Sequence, residues 1–200
     1  MLERGIIMEL LDLIKYRRSI RKYSDKQIPK EDLQKIIEAG AYAPNAGGGQ
    51  RSIIVAVHNR ELTEKIGIMN LAKFDRSKLL GSYVSKEQPS VIDDTSIKNG
   101  FYGAPTVCII FTPKNFLYGI PDSFCIAENM VLEATNLEIS SCMVARGEET
   151  FDNDFGRELL KKWEIPDGFI ARCFVLLGYC DGEYPKSKPR KIERIKIIEE

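Results

Sequence analysis

The chain has 200 residues, of which 44% are hydrophobic and 29% are charged, a composition typical of a folded globular protein rather than a disordered one. Lysines and arginines number 29, as do aspartates and glutamates, so the formal net charge at pH 7 is zero. Because no overall positive field attracts polyanions, we expect neither a nucleic-acid partner nor a membrane partner. The length suits one domain, which we expect to span residues 1–200.

The five cysteines and the N-terminal segment restrict the remaining classes. The cysteines are odd in number, far apart and never spaced as C-x-x-C, so we expect no disulfide scaffold and no bound metal. The first apolar run contains an acidic residue and is too short for a secretory signal, and no later run has membrane-spanning length. These observations favour a cytoplasmic protein.

The first predicted helix leads into a strongly basic segment. Apolar residues recur at helical spacing between 9 and 16, and the residues that follow carry four cationic side chains and a hydroxyl. They are Arg17, Arg18, Ser19, Arg21 and Lys22. Guanidinium groups match phosphate oxygens two at a time, which favours an anion-binding site. A solvated basic surface has the same composition, so both interpretations stay open at this point.

A second predicted helix precedes a glycine-rich segment. Pro29 suits the first turn of a helix that ends near Tyr42. Its predicted apolar face consists of Leu33, Ile36, Ile37 and Ala41. In residues 44–50, three glycines allow a flat ligand to approach the backbone closely, although a flexible connector has the same signature.

The rest of the chain alternates between predicted strands and helices. Apolar runs predict buried strands at 53–58 and 103–111 and further strands at 141–145 and 171–179. Helices are predicted at 61–70, 121–137 and 153–163, and the one at 121–137 is the longest. Its predicted inward residues are Phe124, Ala127, Met130, Val131, Ala134 and Leu137.

Two segments fall outside this alternation. Residues 71–99 are polar and poorly periodic, which indicates an excursion or a lid over the core. Residues 183–200 are rich in lysine and arginine and are expected to form a C-terminal arm. His58, the single histidine, has no partner at motif spacing and is expected to be structural. A chain without a phosphate loop or a Ser/His/Asp arrangement is either a binding module or an enzyme whose reactive atoms belong to a cofactor.

Several motifs together resemble the family of FMN-dependent nitroreductases. The segment from Arg17 to Tyr23 resembles the N-terminal R-[RH]-S-x-[RK] signature of that family. A helix at Pro29, Ala43-Pro44, Gly103-Ala104-Pro105 and Lys188-Pro189-Arg190 follow in the family's order, so the resemblance covers nearly the whole chain. It implies an α+β nitroreductase-like fold, with a central, mostly antiparallel sheet flanked by helices, assembled as a homodimer.

The resemblance also implies roles for individual residues. Those implied to hold the FMN phosphate and ribityl chain are Arg17, Arg18, Ser19 and Arg21, with Lys188 and Arg190 closing from the other side. Those implied to approach the flavin, partly from the neighbouring subunit, are Pro44, Asn45, Ala46 and Gln50. Ala145 with Arg146 or Gly147 would lie along the isoalloxazine ring, and Arg21 would stabilise the reduced flavin.

The implied activity is a ping-pong reaction without a catalytic side chain. NADH or NADPH gives a hydride to flavin N5 and leaves, and a small acceptor such as a nitroaromatic or a quinone is then reduced. Relatives that fragment flavin or remove halogens share the scaffold, and a non-catalytic FMN-binding protein remains an alternative.

Three departures from the family pattern bear on this site. Gly48 stands where asparagine is common, and Arg51-Ser52 stands where Pro-Trp is common, so an amide contact to the flavin is expected to be missing or supplied elsewhere. Ala145-Arg146 replaces Glu-Gly or Gly-Gly, so the electron-donor pocket is expected to differ. Glu138 replaces the usual glycine after the long helix, which makes the geometry of that turn uncertain.

Overall fold

The computed structural model describes residues 9–76 and 84–199, which form five α-helices and four β-strands. The helices are α1 (Leu10–Tyr16), α2 (Lys30–Ala41), α3 (Arg60–Ala72), α4 (Gly119–Asn136) and α5 (Asp154–Lys162). The strands are β1 (Ile53–Val57), β2 (Thr106–Pro113), β3 (Ser140–Val144) and β4 (Phe169–Gly178). Every predicted helix and strand is present, because the periodicity of apolar residues is a local signal.

The strands form one sheet in the order β1-β2-β4-β3, and each neighbouring pair is antiparallel. This confirms the predicted antiparallel sheet. The central position of β2 explains why its residues from Thr106 to Thr112 are all buried. The prediction that β1 is a buried strand is wrong for most of its length. β1 lies at the edge of the sheet, and only Val57 is fully buried.

Alternating residues of the central strands supply two hydrophobic cores. Cys108 and Ile110 face α2 and α4 on one side of the sheet. Ile109 and Phe111 face an aromatic core on the other side, which includes Phe101, Phe151 and Phe174. Burial of this kind on both faces is the main source of stability for such a sheet.

The longest described helix, α4, covers the first of these cores. Ala127, Met130, Val131 and Ala134 are buried as predicted, whereas Phe124 and Leu137 are only half-buried. On α2 the residue that faces α4 is Gly40, where a Cβ would come 2.7 Å from Cγ of Met130. The prediction that Ala41 faces the core is therefore wrong, since Ala41 is exposed.

The helix α4 ends in a Schellman turn in which Glu138 occupies the position that favours glycine. The amide of Ile139 donates to the carbonyl of Ala134 at 2.7 Å, and that of Glu138 donates to Thr135 at 3.1 Å. Glu138 has a φ of 58°. The turn thus keeps the usual geometry although the glycine is replaced, and the glutamate adopts a left-handed backbone that costs free energy.

The region predicted as an excursion at 71–99 is partly structured. α3 extends to Ala72, and residues 77–83 lie outside the described part of the chain. The carboxylate of Asp93 accepts hydrogen bonds from the amides of Val84 (2.8 Å), Ser85 (3.3 Å) and Ser90 (2.8 Å). Residues 84–93 therefore form a fixed loop, whereas a role as a lid stays a prediction.

Candidate functional site

The basic segment after α1 lies along the edge strand β3. Ser19 forms a parallel bridge with Ser141, and the amide of Ile20 donates to the carbonyl of Ser141 at 2.9 Å. The side chain of Ile20 is fully buried in the core. Because side chains alternate along an extended segment, burial of Ile20 directs Ser19 and Arg21 to the opposite side.

Arg18 uses part of its guanidinium group to end α1. Its Nη1 donates to the carbonyls of Lys15 and Arg17, each at 2.6 Å. Its Nε is buried and has no hydrogen-bond partner within the described residues. A basic side chain at this position satisfies carbonyls that the last helical turn leaves unpaired. Arg18 therefore has fewer donors available for a ligand than its neighbours have.

The structure brings the two remote basic segments into one cleft of about 190 Å³. Its walls include all six residues of the predicted phosphate site: Arg17, Arg18, Ser19, Arg21, Lys188 and Arg190. Val84, Ser85, Glu87 and Lys186 also line it. The solvated-surface interpretation does not account for this convergence, since the segments lie about 170 positions apart in the sequence.

The described residues that line this cleft carry six cationic groups and one acidic group. Within the described residues, Arg17, Arg21 and Arg190 form no salt bridge with a carboxylate. Glu87 is the one acid among the described lining residues, and its own backbone N–H and the Ser85 hydroxyl lower its pKa, so it is ionised. Burial raises the pKa of the nearby Cys142 thiol, which therefore adds no negative charge.

Several contacts hold the two basic segments together. The rings of Tyr16 and Tyr184 stack with centroids 5.2 Å apart, and burial raises the pKa of Tyr184. The amide of Asp181 donates to the carbonyl of Lys22 at 3.0 Å. Nζ of Lys188 donates to the carbonyl of Val84 at 2.7 Å. These contacts fix the two basic segments against each other, so the cleft is part of the folded structure.

The glycine-rich loop is fixed to the first turn of α4. Oδ1 of the buried Asp122 accepts from the amide of Ala46 at 3.0 Å, and Oδ1 of Asn45 accepts from the amide of Gln50 at 2.9 Å. Gly48 has a φ of 62° and open space beside it. Since asparagine and glycine are the residues that best tolerate this conformation, the departure at Gly48 preserves the shape of the loop.

This loop and the cationic cleft lie at diagonally opposite corners of the sheet. The loop leads into the edge strand β1, whereas Ser19 flanks the other edge strand, β3. The two places also lie at opposite ends of the strands. β1 begins beside Phe111, near the end of β2, whereas Ser141 pairs with Leu177, which pairs with Thr106 at the start of β2. Four strands spaced by about 4.8 Å separate the edges by roughly 14 Å. One chain therefore does not bring Pro44, Asn45, Ala46 and Gln50 to the cleft.

Residues 145–147 leave the end of β3 in a turn supported by the buried Asn70. Nδ2 of Asn70 donates to the carbonyl of Arg146 at 2.9 Å and to Oγ1 of Thr150 at 3.0 Å. Gly147 has a φ of 88°, and a Cβ there would collide with the amide nitrogen of Asn70. Ala145 is exposed beside this turn.

The side chain of Arg146 packs against the protein. Its Nη2 donates to the carbonyl of Gly100 at 2.7 Å, and its guanidinium carbon lies 5.2 Å from the ring centroid of Phe74 and 5.9 Å from that of Tyr102. What the turn offers a ligand is therefore backbone. Neither the amide of Arg146 nor that of Gly147 donates a hydrogen bond to another described residue.

Sequence reasoning missed three residues that shape these places. Asp122 holds the loop, Asn70 holds the turn, and Gln88 connects the walls of the cleft. None carries a sequence signal, because each one bonds to backbone atoms that are remote in the sequence.

An α+β fold with one antiparallel sheet and a cationic cleft beside its edge strand defines a protein with a candidate anion-binding site. The Nitroreductase family model matches residues 14–179, and the chain belongs to this family.

Relatives agree with this assignment. A protein from Archaeoglobus fulgidus, provisionally named NADH dehydrogenase/NAD(P)H nitroreductase, is 47% identical over 173 residues, which are 86% of this chain and 85% of that protein. A protein of the same provisional name from Methanothermobacter thermautotrophicus is 44% identical over 59 residues, which are 30% of this chain and 31% of that protein.

Solved structures share the fold. A nitroreductase from Bacteroides fragilis with bound FMN is 33% identical, with a TM-score of 0.78 over 96% of this chain and 100% of that chain. A nitroreductase from Desulfitobacterium hafniense with bound FMN is 25% identical, with a TM-score of 0.76 over 97% of this chain and 100% of that chain.

Two negative findings apply to the described residues only. No helix among them has both the length and the apolar character needed to cross a membrane. No group of three or more histidine, cysteine, aspartate or glutamate residues in the same part of the chain is arranged to hold a metal ion.

Proposed function

We propose that the protein is an FMN-dependent oxidoreductase that takes a hydride from NADH or NADPH and reduces a small acceptor, such as a nitroaromatic or a quinone, by a ping-pong mechanism. Membership of the nitroreductase family supports the reaction class, and so do relatives that are named NAD(P)H nitroreductase or carry bound FMN. The observation that carries the proposal is the cleft in which cations from both ends of the chain meet.

The cleft residues fit the phosphate of FMN. Arg17, Arg21, Lys188 and Arg190 line the cleft with cationic groups, and Ser19 adds a hydroxyl. Each charge-assisted hydrogen bond contributes about 1.5–3 kcal/mol, so several together hold a dianion against the cost of its desolvation. Arg18 has a smaller share, because its Nη1 already donates to two carbonyls.

The turn at 145–147 fits the ring of the cofactor. Bound FMN would supply the hydride-transfer chemistry, through its N5 atom. Ala145 and the backbone of Arg146 and Gly147 would flank the ring, and the amides of Arg146 and Gly147, which donate to no other described residue, would be available to its polar edge. Arg21 would be the cation that stabilises negative charge on the reduced ring.

A second copy of the chain completes the site. The residues Pro44, Asn45, Ala46 and Gln50 lie at the corner opposite the cleft. They would therefore contact the flavin of a neighbouring subunit and not that of their own chain. Large apolar side chains are exposed on α1 and on the C-terminal arm, as expected for surfaces covered in a homodimer. They are Leu10, Leu11, Ile14, Ile192, Ile195, Ile197 and Ile198.

The phosphate role is tested by removing two of the cations. We expect the purified protein to be yellow and the double variant Arg17→Ala/Arg21→Ala to lose FMN during gel filtration. The matched control is Arg60→Ala/Arg157→Ala, which removes two exposed arginines that form salt bridges elsewhere. Equal flavin occupancy in both double variants would reject the phosphate role.

The reaction is tested by steady-state oxidation of NADH with menadione or nitrofurazone. A ping-pong mechanism gives parallel double-reciprocal lines as the acceptor concentration is varied. Loss of flavin without turnover of the acceptor would support flavin fragmentation instead. A flavin spectrum that does not bleach with NADH in the absence of oxygen would support a non-catalytic FMN-binding protein.

A further inference from the structure

Gln88 is a buried amide between the two basic segments of the cleft. Its side chain has no exposed surface. Oε1 accepts a hydrogen bond from the amide of Arg21 at 2.8 Å, and Nε2 donates to the carbonyl of Glu183 at 3.2 Å. Nε2 also lies 3.6 Å from Sγ of Cys180. One side chain thus joins the N-terminal basic segment to the start of the C-terminal arm.

The partners of Gln88 depend on its carboxamide. The amide of Arg21 and the carbonyl of Glu183 are backbone groups that bond to opposite ends of the same planar group. Both hydrogen bonds are partly buried, so loss of either one costs free energy, and the backbone group left without its partner tends to move until it finds another. The carboxamide therefore sets the distance between the Arg21 backbone and the arm that carries Lys188 and Arg190.

The loop that carries Gln88 is itself fixed. The carboxylate of Asp93 accepts hydrogen bonds from three backbone amides of this loop, and Oγ of Ser85 accepts one from the amide of Gln88 at 3.1 Å. Nζ of Lys188 donates to the carbonyl of Val84 at 2.7 Å. Because Val84, Ser85 and Glu87 line the cleft, this loop is its third wall, and Gln88 is held from both sides.

We propose that Gln88 is a positioning residue for recognition of the cofactor phosphate: it sets the spacing of the two cationic walls so that both contact one terminal phosphate. This inference rests on the proposed function. It adds that discrimination between FMN and riboflavin, which share the ring and differ in the phosphate, depends on a side chain that does not itself touch the phosphate.

The test compares the affinities of the protein for FMN and for riboflavin, measured by quenching of flavin fluorescence. Gln88→Met keeps the side-chain volume and removes both polar atoms. We expect its Kd for FMN to rise roughly tenfold to a hundredfold, as for the loss of one charge-assisted hydrogen bond, while its Kd for riboflavin stays within about twofold. A merely structural role would change both affinities alike.

Gln27→Met is the matched control. The Gln27 carboxamide donates to the carbonyl of Pro105 at 3.1 Å and accepts from Oγ1 of Thr106 at 2.7 Å, but it does not line the cleft. We expect this variant to be less stable to heat with an unchanged ratio of the two affinities. Wild-type protein that fails to bind FMN would reject the proposed function. Wild-type preference for FMN that persists in Gln88→Met would overturn the role of Gln88 alone.

Hydrogen exchange of the wild-type protein gives a second measurement that does not depend on folding of the variant. We expect FMN to protect the backbone at 84–88 and at 183–190 more strongly than riboflavin does, because the phosphate draws on all three walls. Extra protection by FMN confined to 17–21 would overturn the proposal.

Discussion

Gly147→Ala probes the turn that is proposed to flank the flavin ring. Gly147 has a φ of 88°, where an alanine costs about 1–2 kcal/mol relative to its preferred conformations. The new Cβ would also displace the fully buried Asn70, whose side-chain amide donates to the carbonyl of Arg146 and to Oγ1 of Thr150. Each of these hydrogen bonds contributes about 0.5–1.5 kcal/mol. We therefore expect a total loss of about 2–5 kcal/mol.

Gly168→Ala separates the two causes. Gly168 has a φ of 81° but no atom within 4 Å of a Cβ, so this variant carries the backbone cost alone. Urea denaturation followed by circular dichroism should show Gly147→Ala to be less stable than Gly168→Ala by about 1–3 kcal/mol, the sum of the two hydrogen bonds. In a background of Asn70→Ala, the excess should shrink, and what remains is the cost of moving Oγ1 of Thr150, which lies 2.7 Å from the same Cβ. Equal losses in the two glycine variants would refute the role of Asn70 as a support for the turn.

Other perturbations follow from the same physical reasoning. Glu138→Gly and Glu164→Gly each relieve a left-handed glutamate (φ of 58° and 55°), and each should raise the unfolding free energy by about 0.5–1 kcal/mol; a lower melting temperature in either variant would contradict this. Burial raises the pKa of Asp93, but the amides of Ser90 and Val84 lower it by more, to below the ordinary 3.8. The stability that this carboxylate contributes is present above pH 3.8 and is lost as the pH falls through the folded-state pKa. Asp93→Asn should therefore flatten the acid limb of a plot of stability against pH, and an unchanged limb would exclude Asp93 as its source. The Kd for FMN should rise with salt concentration while that for riboflavin does not, since salt screens the contacts to phosphate; parallel curves would count against a cationic cleft.

The helices and strands were predictable because each leaves its period in the local sequence. Burial was less predictable. β1 reads as a buried strand, yet its place at the edge of the sheet depends on which strands flank it. The orientation of α2 depends on a close approach at Gly40, which turns Ala41 outward. Both effects depend on tertiary contacts, and a short stretch of sequence carries no information about them.

The candidate site also has a part that the sequence predicts and a part that it does not. The basic segments at 17–21 and 188–190 are visible as charge and match a family signature. Gln88 has no comparable signal in the sequence, because its hydrogen-bond partners are backbone atoms that lie 67 and 95 positions away. The sequence alone does not distinguish Gln88 from the other polar residues at 71–99.

In the homodimer proposed above, the corner arrangement of the sheet makes the protein suited to genetic complementation. A chain damaged only at Arg17 and Arg21 retains a sound loop at 44–50, and a chain damaged only at that loop retains a sound cleft. Neither would be active alone. In a mixed pair, one of the two sites receives both sound corners, so co-expression should recover up to half of the normal activity per pair.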